Sequence, residues 1–210
     1  MQDIIKALNW RYATKAFDPS KKVSEEDFST IIESMRLSAS SFGLQPWKFI
    51  VVSNPEVRAK IRAASWDQTQ VTDASHLVVL TVRNDVNEAF VDKYIASIAE
   101  TRGMKTSDLQ GYADMMKGTI KPQTAEQVKS WSSRQVYIPL GTALLAAATK
   151  GIDACPMEGF DHAQVDKILG LDALGVSSLA FLTLGYRSAD DKTAQYKKVR
   201  YSKEEVVVTI

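Results

Sequence analysis

Four short runs rich in β-branched and aromatic residues are scattered along the chain with helical sequence between them, and this spacing limits the architectures open to it. They are Trp47 to Ser53 (WKFIVVS), His76 to Val82, Ile152 to Cys155 and Ser177 to Leu184 (SSLAFLTL). Asn54-Pro55 ends the first and Pro156 the third, as turn and breaker residues should. A helix over Asp3 to Leu8 is predicted from Ile4, Ile5 and Leu8 at helical spacing. Ser24-Glu-Glu-Asp starts a second, with Phe28, Ile31, Ile32 and Met35 as its apolar stripe, and a third is predicted from Pro55 to Ala64. Strands separated by helices in this way give an α+β or three-layer α/β fold. A further β-rich run, Glu205 to Ile210, has no hairpin partner nearby, and an unpaired edge is costly or sticky, so it is expected to pair elsewhere.

Between Asn84 and Arg134 polar helical segments alternate with Gly103, Gly111, Gly118 and Pro122, and no run suits a central strand. This stretch reads as an excursion beside the core or a cover over a site. Gln135 to Lys150 then reads as a helix apolar on nearly all sides, buried in a core or a subunit interface, with Pro139 kinking it or marking an early turn. The 210 residues, with neither repeats nor a linker, are read as a single domain spanning 1–210. A net charge of +1 carries no nucleic-acid signature. No uncharged run approaches the ~20 residues of a membrane helix. The amino terminus also lacks the basic-then-apolar build of a signal peptide, so a cytoplasmic, soluble protein is expected.

Several chemistries drop out. One cysteine and two histidines are a poor supply of metal ligands, and Cys155 reads as a small buried hydrophobe. No two of the ten glycines lie two residues apart, which excludes the G-x-G-x-x-G dinucleotide loop, and there is no G-x-S-x-G elbow. His76 at a strand entry reads as structural, and His162 as a solvent-exposed helix start. What remains is a set of basic residues near the two chain ends, Arg11 and Lys15 in WRYATKAF and Lys198 and Arg200 close to the tail. They are either surface charges or a way to hold a phosphate without a glycine loop. Ser38 to Phe49 (SASSFGLQPWKF) is either an ordinary turn or a loop that lets a flat ligand come close. Cys155 to Asp161 (CPMEGFD) forms a tight turn at a strand end, where ligands of open sheets tend to bind.

Taken together, these pieces carry a pattern. R-x-x-x-K-x-F-D, S-x-S-S-x-x-x-Q-P-W-x-F, the D-A-S-H strand entry, P-x-E-G-F-D and a late K-x-R resemble the nitroreductase family of flavoproteins, in the same order from Arg11 to Arg200. The resemblance implies an α+β three-layer sandwich with a central, mostly antiparallel sheet flanked by helices. It also implies a homodimer with two FMN sites at the subunit interface and the tail strand exchanged with the partner. Implied too is a ping-pong passage of electrons from NADH or NADPH to nitroaromatics, quinones or related acceptors, with flavin N5 and no protein side chain doing the chemistry.

Carried over residue by residue, Arg11, Lys198 and Arg200 match the FMN-phosphate contacts, with Tyr12 and Ala13 beside them, and Lys15 matches the pyrimidine edge. Ser40, Ser41, Gly43 and Gln135 match a set in which the serines and the glutamine come from the other subunit. Pro156, Met157, Glu158 and Gly159 match the turn over one ring face, Glu158 through its backbone N–H near N5. Asp67 and Gln70 stand where one branch has Asn and Lys, and Ala13 where many members have a serine. Phe42 and Tyr112 fall at substrate-bordering positions. The competing readings are a reductase for a particular activated alkene and a flavin-binding protein without turnover. No metal, nucleic acid or membrane is expected.

Overall fold

The computed structural model describes residues 3–210. Its sheet has four strands, β1 (Trp47–Val51), β2 (His76–Arg83), β3 (Asp153–Met157) and β4 (Val176–Gly185), in the order β1-β2-β4-β3 with every pairing antiparallel. Around it lie α1 (Ile4–Trp10), α2 (Glu25–Arg36), α3 (Pro55–Ala63), α4 (Gln70–Asp73), α5 (Glu88–Arg102), α6 (Gln110–Ile120), α7 (Ala125–Thr149), α8 (His162–Leu169) and α9 (Lys203–Val206).

Alternation along the central strands builds two cores. Val78, Leu80 and Val82 of β2 and Ala180, Leu182 and Leu184 of β4 pack against Ile31 and Met35 of α2 and Val136, Leu140, Ala143 and Ala147 of α7. The opposite face, with Leu77, Val79 and Phe181, meets Ile61, Val71 and Val165 from α3, α4 and α8. Because both faces are covered, β2 and β4 are almost continuous apolar sequence, which is why they are easy to read. The polar stretch after Asn84 contains no strand. It folds into α5 and α6, which share a third core centred on Val91, Ile95, Met116 and Ile120.

Three expectations need correction. The long helix does not begin near Gln135 but ten residues earlier at Ala125, where Thr124 accepts from the Gln127 N–H and Gln127 reaches back to Thr124. Its first turns are mostly polar and exposed, with Val128 and Trp131 packed against the third core, so the polar helical segment read before Arg134 and the apolar helix after it are one continuous helix. Pro139 is buried inside the helix without ending it. The third strand continues through Pro156, which pairs with Leu182, because β3 is at the sheet edge and a proline's missing N–H can point outward there.

The tail is the third. Residues 205–210 form no strand. Ser202 caps a single helical turn, α9, by accepting from the Glu205 N–H; Val206 at its end is exposed, as are Val207 and Val208 beyond it. A β-rich composition needs a neighbouring ladder to become a strand, and among the described residues of the single chain the tail has none.

Candidate functional site

The chain's two ends meet at a basic cleft. Arg11 ends α1 in an extended conformation, and segment 193–200 packs beside it, leaving a cavity of about 420 Å³ lined by Trp10 to Ala13 and by Tyr196, Lys198 and Arg200 among others. Lys198 donates through Nζ to the carbonyls of Leu8 (2.8 Å) and Arg11, and Arg200 donates to the Val199 carbonyl at 2.6 Å. Burial, then the charge of Arg200, holds the Arg11 guanidinium below its usual pKa. Burial, then Arg11 and Arg200, does the same to Lys198. Among the described residues no carboxylate pairs with any of the three, and the buried Nε of Arg11 has no hydrogen-bond partner. Converging cations with an orphaned buried donor form a site for an anion with several oxygens.

The strand-like segment after Arg11 runs beside β3, with Ala13 bridging Ala154 and the Thr14 N–H donating to the Ala154 carbonyl at 3.3 Å. It is clamped by Asp191, a residue only 3% exposed. That carboxylate accepts from the Tyr12 hydroxyl (3.0 Å), the Lys15 N–H (2.8 Å) and the Ala16 N–H (3.2 Å) through Oδ2, and from the Thr193 N–H through Oδ1. Below it Arg187 grips buried Asp153 at 2.6 and 2.9 Å and is stacked between the rings of Trp10 and Tyr12. Lys15 itself is exposed, and its charge offsets only part of the upward shift that burial gives the Cys155 thiol. This clamp escaped the sequence reading. Its one local signal is an aspartate, Asp153, set in the apolar run Ile152 to Cys155, where a buried charge must have a partner.

At the end of β3, Pro156 is half-buried, Met157 buried and Glu158 exposed. The Gly159 carbonyl accepts from the Gln68 side-chain amide at 2.7 Å. Trp66 and Asp67 both take left-handed backbone conformations, with φ of 51° and 56°, which non-glycine residues rarely adopt. The turn sets the Trp66 indole against Gly159 so closely that a Cβ there would stand 2.6 Å from its ring. Asp67 is exposed beside this contact, while Gln70 is buried in α4. The Tyr137 hydroxyl of α7 donates to the Glu158 carboxylate at 2.5 Å.

The remaining residues singled out from sequence form a second group. The Ser41 N–H donates to Gln135 Oε1 at 2.8 Å, and the Ser40 hydroxyl accepts from the Gln45 N–H. Phe42 is left-handed at φ 57°, and Tyr112 donates to its carbonyl at 3.0 Å. Gly43 has φ 74°, and a Cβ on it would overlap the Tyr94 hydroxyl. The α5–α6 excursion therefore covers this loop with Tyr94 and Tyr112.

His76 stacks on Phe28 at 3.8 Å, sits 3.0 Å from the Ser75 hydroxyl, and is lowered in pKa mainly by burial, all of which suits a structural residue. Cys155 is 1% exposed, and burial pushes its thiol up. Among the described residues no cluster of His, Cys, Asp and Glu is suited to a metal, and no helix is long and apolar enough to cross a membrane.

Comparison with known proteins supplies independent evidence. The sequence model of the Nitroreductase family matches residues 8–186. A Staphylococcus epidermidis protein provisionally named an NAD(P)H nitroreductase is 37% identical, over 98% of this chain and 96% of its own length. A Bacillus subtilis protein with the same provisional name is 39% identical, over 97% of this chain and 96% of its own. Among solved structures, a provisionally named nitroreductase from Exiguobacterium sibiricum, in complex with FMN, superimposes with a TM-score of 0.83. Its sequence identity is 20%, and the match covers 100% of this chain and 98% of that one.

Proposed function

The chain belongs to the nitroreductase family, and from that premise we propose that it is an FMN-dependent oxidoreductase taking electrons from NADH or NADPH. Its acceptors are nitroaromatics, quinones or similar compounds. The observation that carries this reading is the basic cleft, where Arg11, Lys198 and Arg200 converge and, among the described residues, no carboxylate pairs with them and the buried Arg11 Nε lacks a partner. Those residues fit the FMN phosphate.

Bound FMN supplies the redox chemistry, alternately taking two electrons from the nicotinamide and giving them to the acceptor. The chain's own residues bind and orient. Arg11, Lys198 and Arg200 hold the phosphate through charge-assisted bonds, with Tyr12 and Ala13 beside them, and Ala13 contributes no hydroxyl. Lys15 offers positive charge at the pyrimidine edge, which favours the negative charge that reduction adds. Pro156, Met157, Glu158 and Gly159 line one face of the ring, Glu158 through its backbone N–H. Asp67 borders the same turn, and Gln70, buried in α4, is a further candidate contact. Phe42 and Tyr112 wall the acceptor's approach, and the excursion at about 84–134 forms the rim of a single FMN-binding domain. Reduced nicotinamides are cytosolic metabolites, so the cytoplasm is where this reading has the enzyme work.

The purified protein should be yellow, and anaerobic addition of NADH or NADPH should bleach it within the time of one turnover. Re-addition of a quinone should restore the colour. A colourless protein that takes up no FMN refutes the reading. Bound FMN that neither nicotinamide reduces leaves a flavin-binding protein instead.

We also propose a homodimer in which Ser40, Ser41 and Gln135 complete the partner's site, with Gly43 where a relative's side chain can touch the ribityl. Support comes from Ile4, Ile5 and Leu8 on α1, Tyr137 and Ile138 on α7, and Val206 to Val208 in the tail, all exposed in the single chain. Such a set of large apolar side chains at the surface marks a contact face. Deleting residues 205–210 should lower dimer stability and FMN retention together in sedimentation runs with absorbance detection. An FMN-loaded, fully active monomer would count decisively against shared sites.

A further inference from the structure

We propose that Tyr137 is a positioning residue, whose hydroxyl pins the Glu158 carboxylate and so sets the charge that the turn after β3 presents to the flavin. The proposal rests on the FMN reading above. Tyr137 lies on α7 two residues beyond Gln135, and Glu158 lies 21 positions further along the chain. Their hydrogen bond, 2.5 Å long, ties the helix that carries Gln135 to the turn that carries Pro156 and Gly159. Among the described residues no Lys or Arg reaches the Glu158 carboxylate, so the tyrosine is the donor that holds it.

The surroundings make that bond matter. The pair borders a cavity of about 430 Å³ whose other walls are apolar, among them Leu140, Leu144, Pro156 and Met157. The apolar walls cover one side of the pair, while in the single chain Tyr137 and Glu158 remain open to solvent on the other. Burial, then the bond to Glu158, pushes the Tyr137 hydroxyl up to about 12, so it remains a donor throughout the working pH range. Two-electron reduction of FMN adds negative charge to the ring, and a carboxylate on the adjoining turn opposes it. Held by Tyr137, the carboxylate keeps its charge but has it partly screened by the O–H dipole, and it is kept in one place. Released, it loses that screening and gains the freedom to turn towards the ring.

Tyr137→Phe removes the hydroxyl alone and keeps the ring. The quantity to measure is the oxidised–reduced equilibrium of bound FMN against a reference dye, in wild type, Tyr137→Phe, Glu158→Gln and the double variant. FMN affinity is measured alongside. Tyr137→Phe should shift the equilibrium about tenfold towards the oxidised form, which is about 30 mV for a two-electron couple. In the Glu158→Gln background the same replacement should shift it less than about twofold, because no carboxylate charge remains to be released. An unchanged equilibrium in Tyr137→Phe, or equal shifts in both backgrounds, overturns the proposal while FMN is still bound. A wild-type protein that binds no FMN overturns this proposal and the FMN reading together.

Discussion

Replacing Arg11 and Arg200 together by alanine is expected to weaken FMN binding by about 10²–10⁴-fold while the protein stays folded. Each charge-assisted phosphate contact contributes roughly 1.5–3 kcal/mol, so two contacts account for roughly 3–6 kcal/mol. The fold should tolerate the change because neither guanidinium makes an ion pair among the described residues. Arg11 and Arg200 repel one another, and the buried Nε of Arg11 is unsatisfied, so the apoprotein loses little with them. Titrating apoprotein with FMN while following flavin fluorescence gives the affinity, and thermal unfolding of the apoprotein gives the fold. Full flavin occupancy in the double variant would remove the phosphate from this cleft.

The second large effect is expected at Asp191, whose carboxylate receives four donors and joins the segment after Arg11 to the one leading to Lys198. Asp191→Ala leaves the Lys15 and Ala16 amides and the Tyr12 hydroxyl without their acceptor. A buried donor left unsatisfied costs about 1–3 kcal/mol, and several at once should total about 3–5 kcal/mol. For a chain of this size that lowers the melting temperature by about 6–20 °C. Lys15 and the phosphate cleft should loosen with it, so FMN retention falls as well.

The same residue gives a pH signature. Burial alone would raise the Asp191 pKa, but the hydrogen bonds from Lys15, Ala16, Tyr12 and Thr193 outweigh it and hold the carboxyl below its ordinary value. A depressed native pKa stabilises the fold fully at pH above the unfolded carboxylate value, and this stabilisation disappears as pH falls through the native one. Wild type should therefore lose stability on acidification below about pH 4, the ordinary carboxylate range. Asp191→Asn should show a smaller loss over that window. Parallel acid-unfolding curves for the two proteins would show that Asp191 is not the clamp.

What can be read from the sequence depends on how local the physics is. Strands β2 and β4 were legible because a doubly covered strand must be apolar along its length. The starts of α2 and α3 were legible because Ser24 and Asn54 cap them within three residues. The early start of α7 was also written locally, in Thr124 and Gln127, but its polar surface masked it. The resemblance supplied candidate FMN contacts at separated positions, and the fold gathers Arg11, Lys198 and Arg200 into one cleft.

Other features had no local cause to read. The Tyr12–Asp191 bond links residues 179 apart, and the grip of Arg187 on Asp153 spans 34. No window of sequence contains both partners of either, so only the packed chain reveals them. The tail shows the converse: Glu205 to Ile210 has β-rich composition, yet a strand exists only where a second backbone offers its hydrogen bonds, and among the described residues of the single chain none does. Local propensity, capping and binary pattern thus determined the elements and their layering. Which charges are paired, which stay unpaired around the basic cleft, and which hydroxyl holds which carboxylate were decided by tertiary contacts, because electrostatics acts through space and not along the chain.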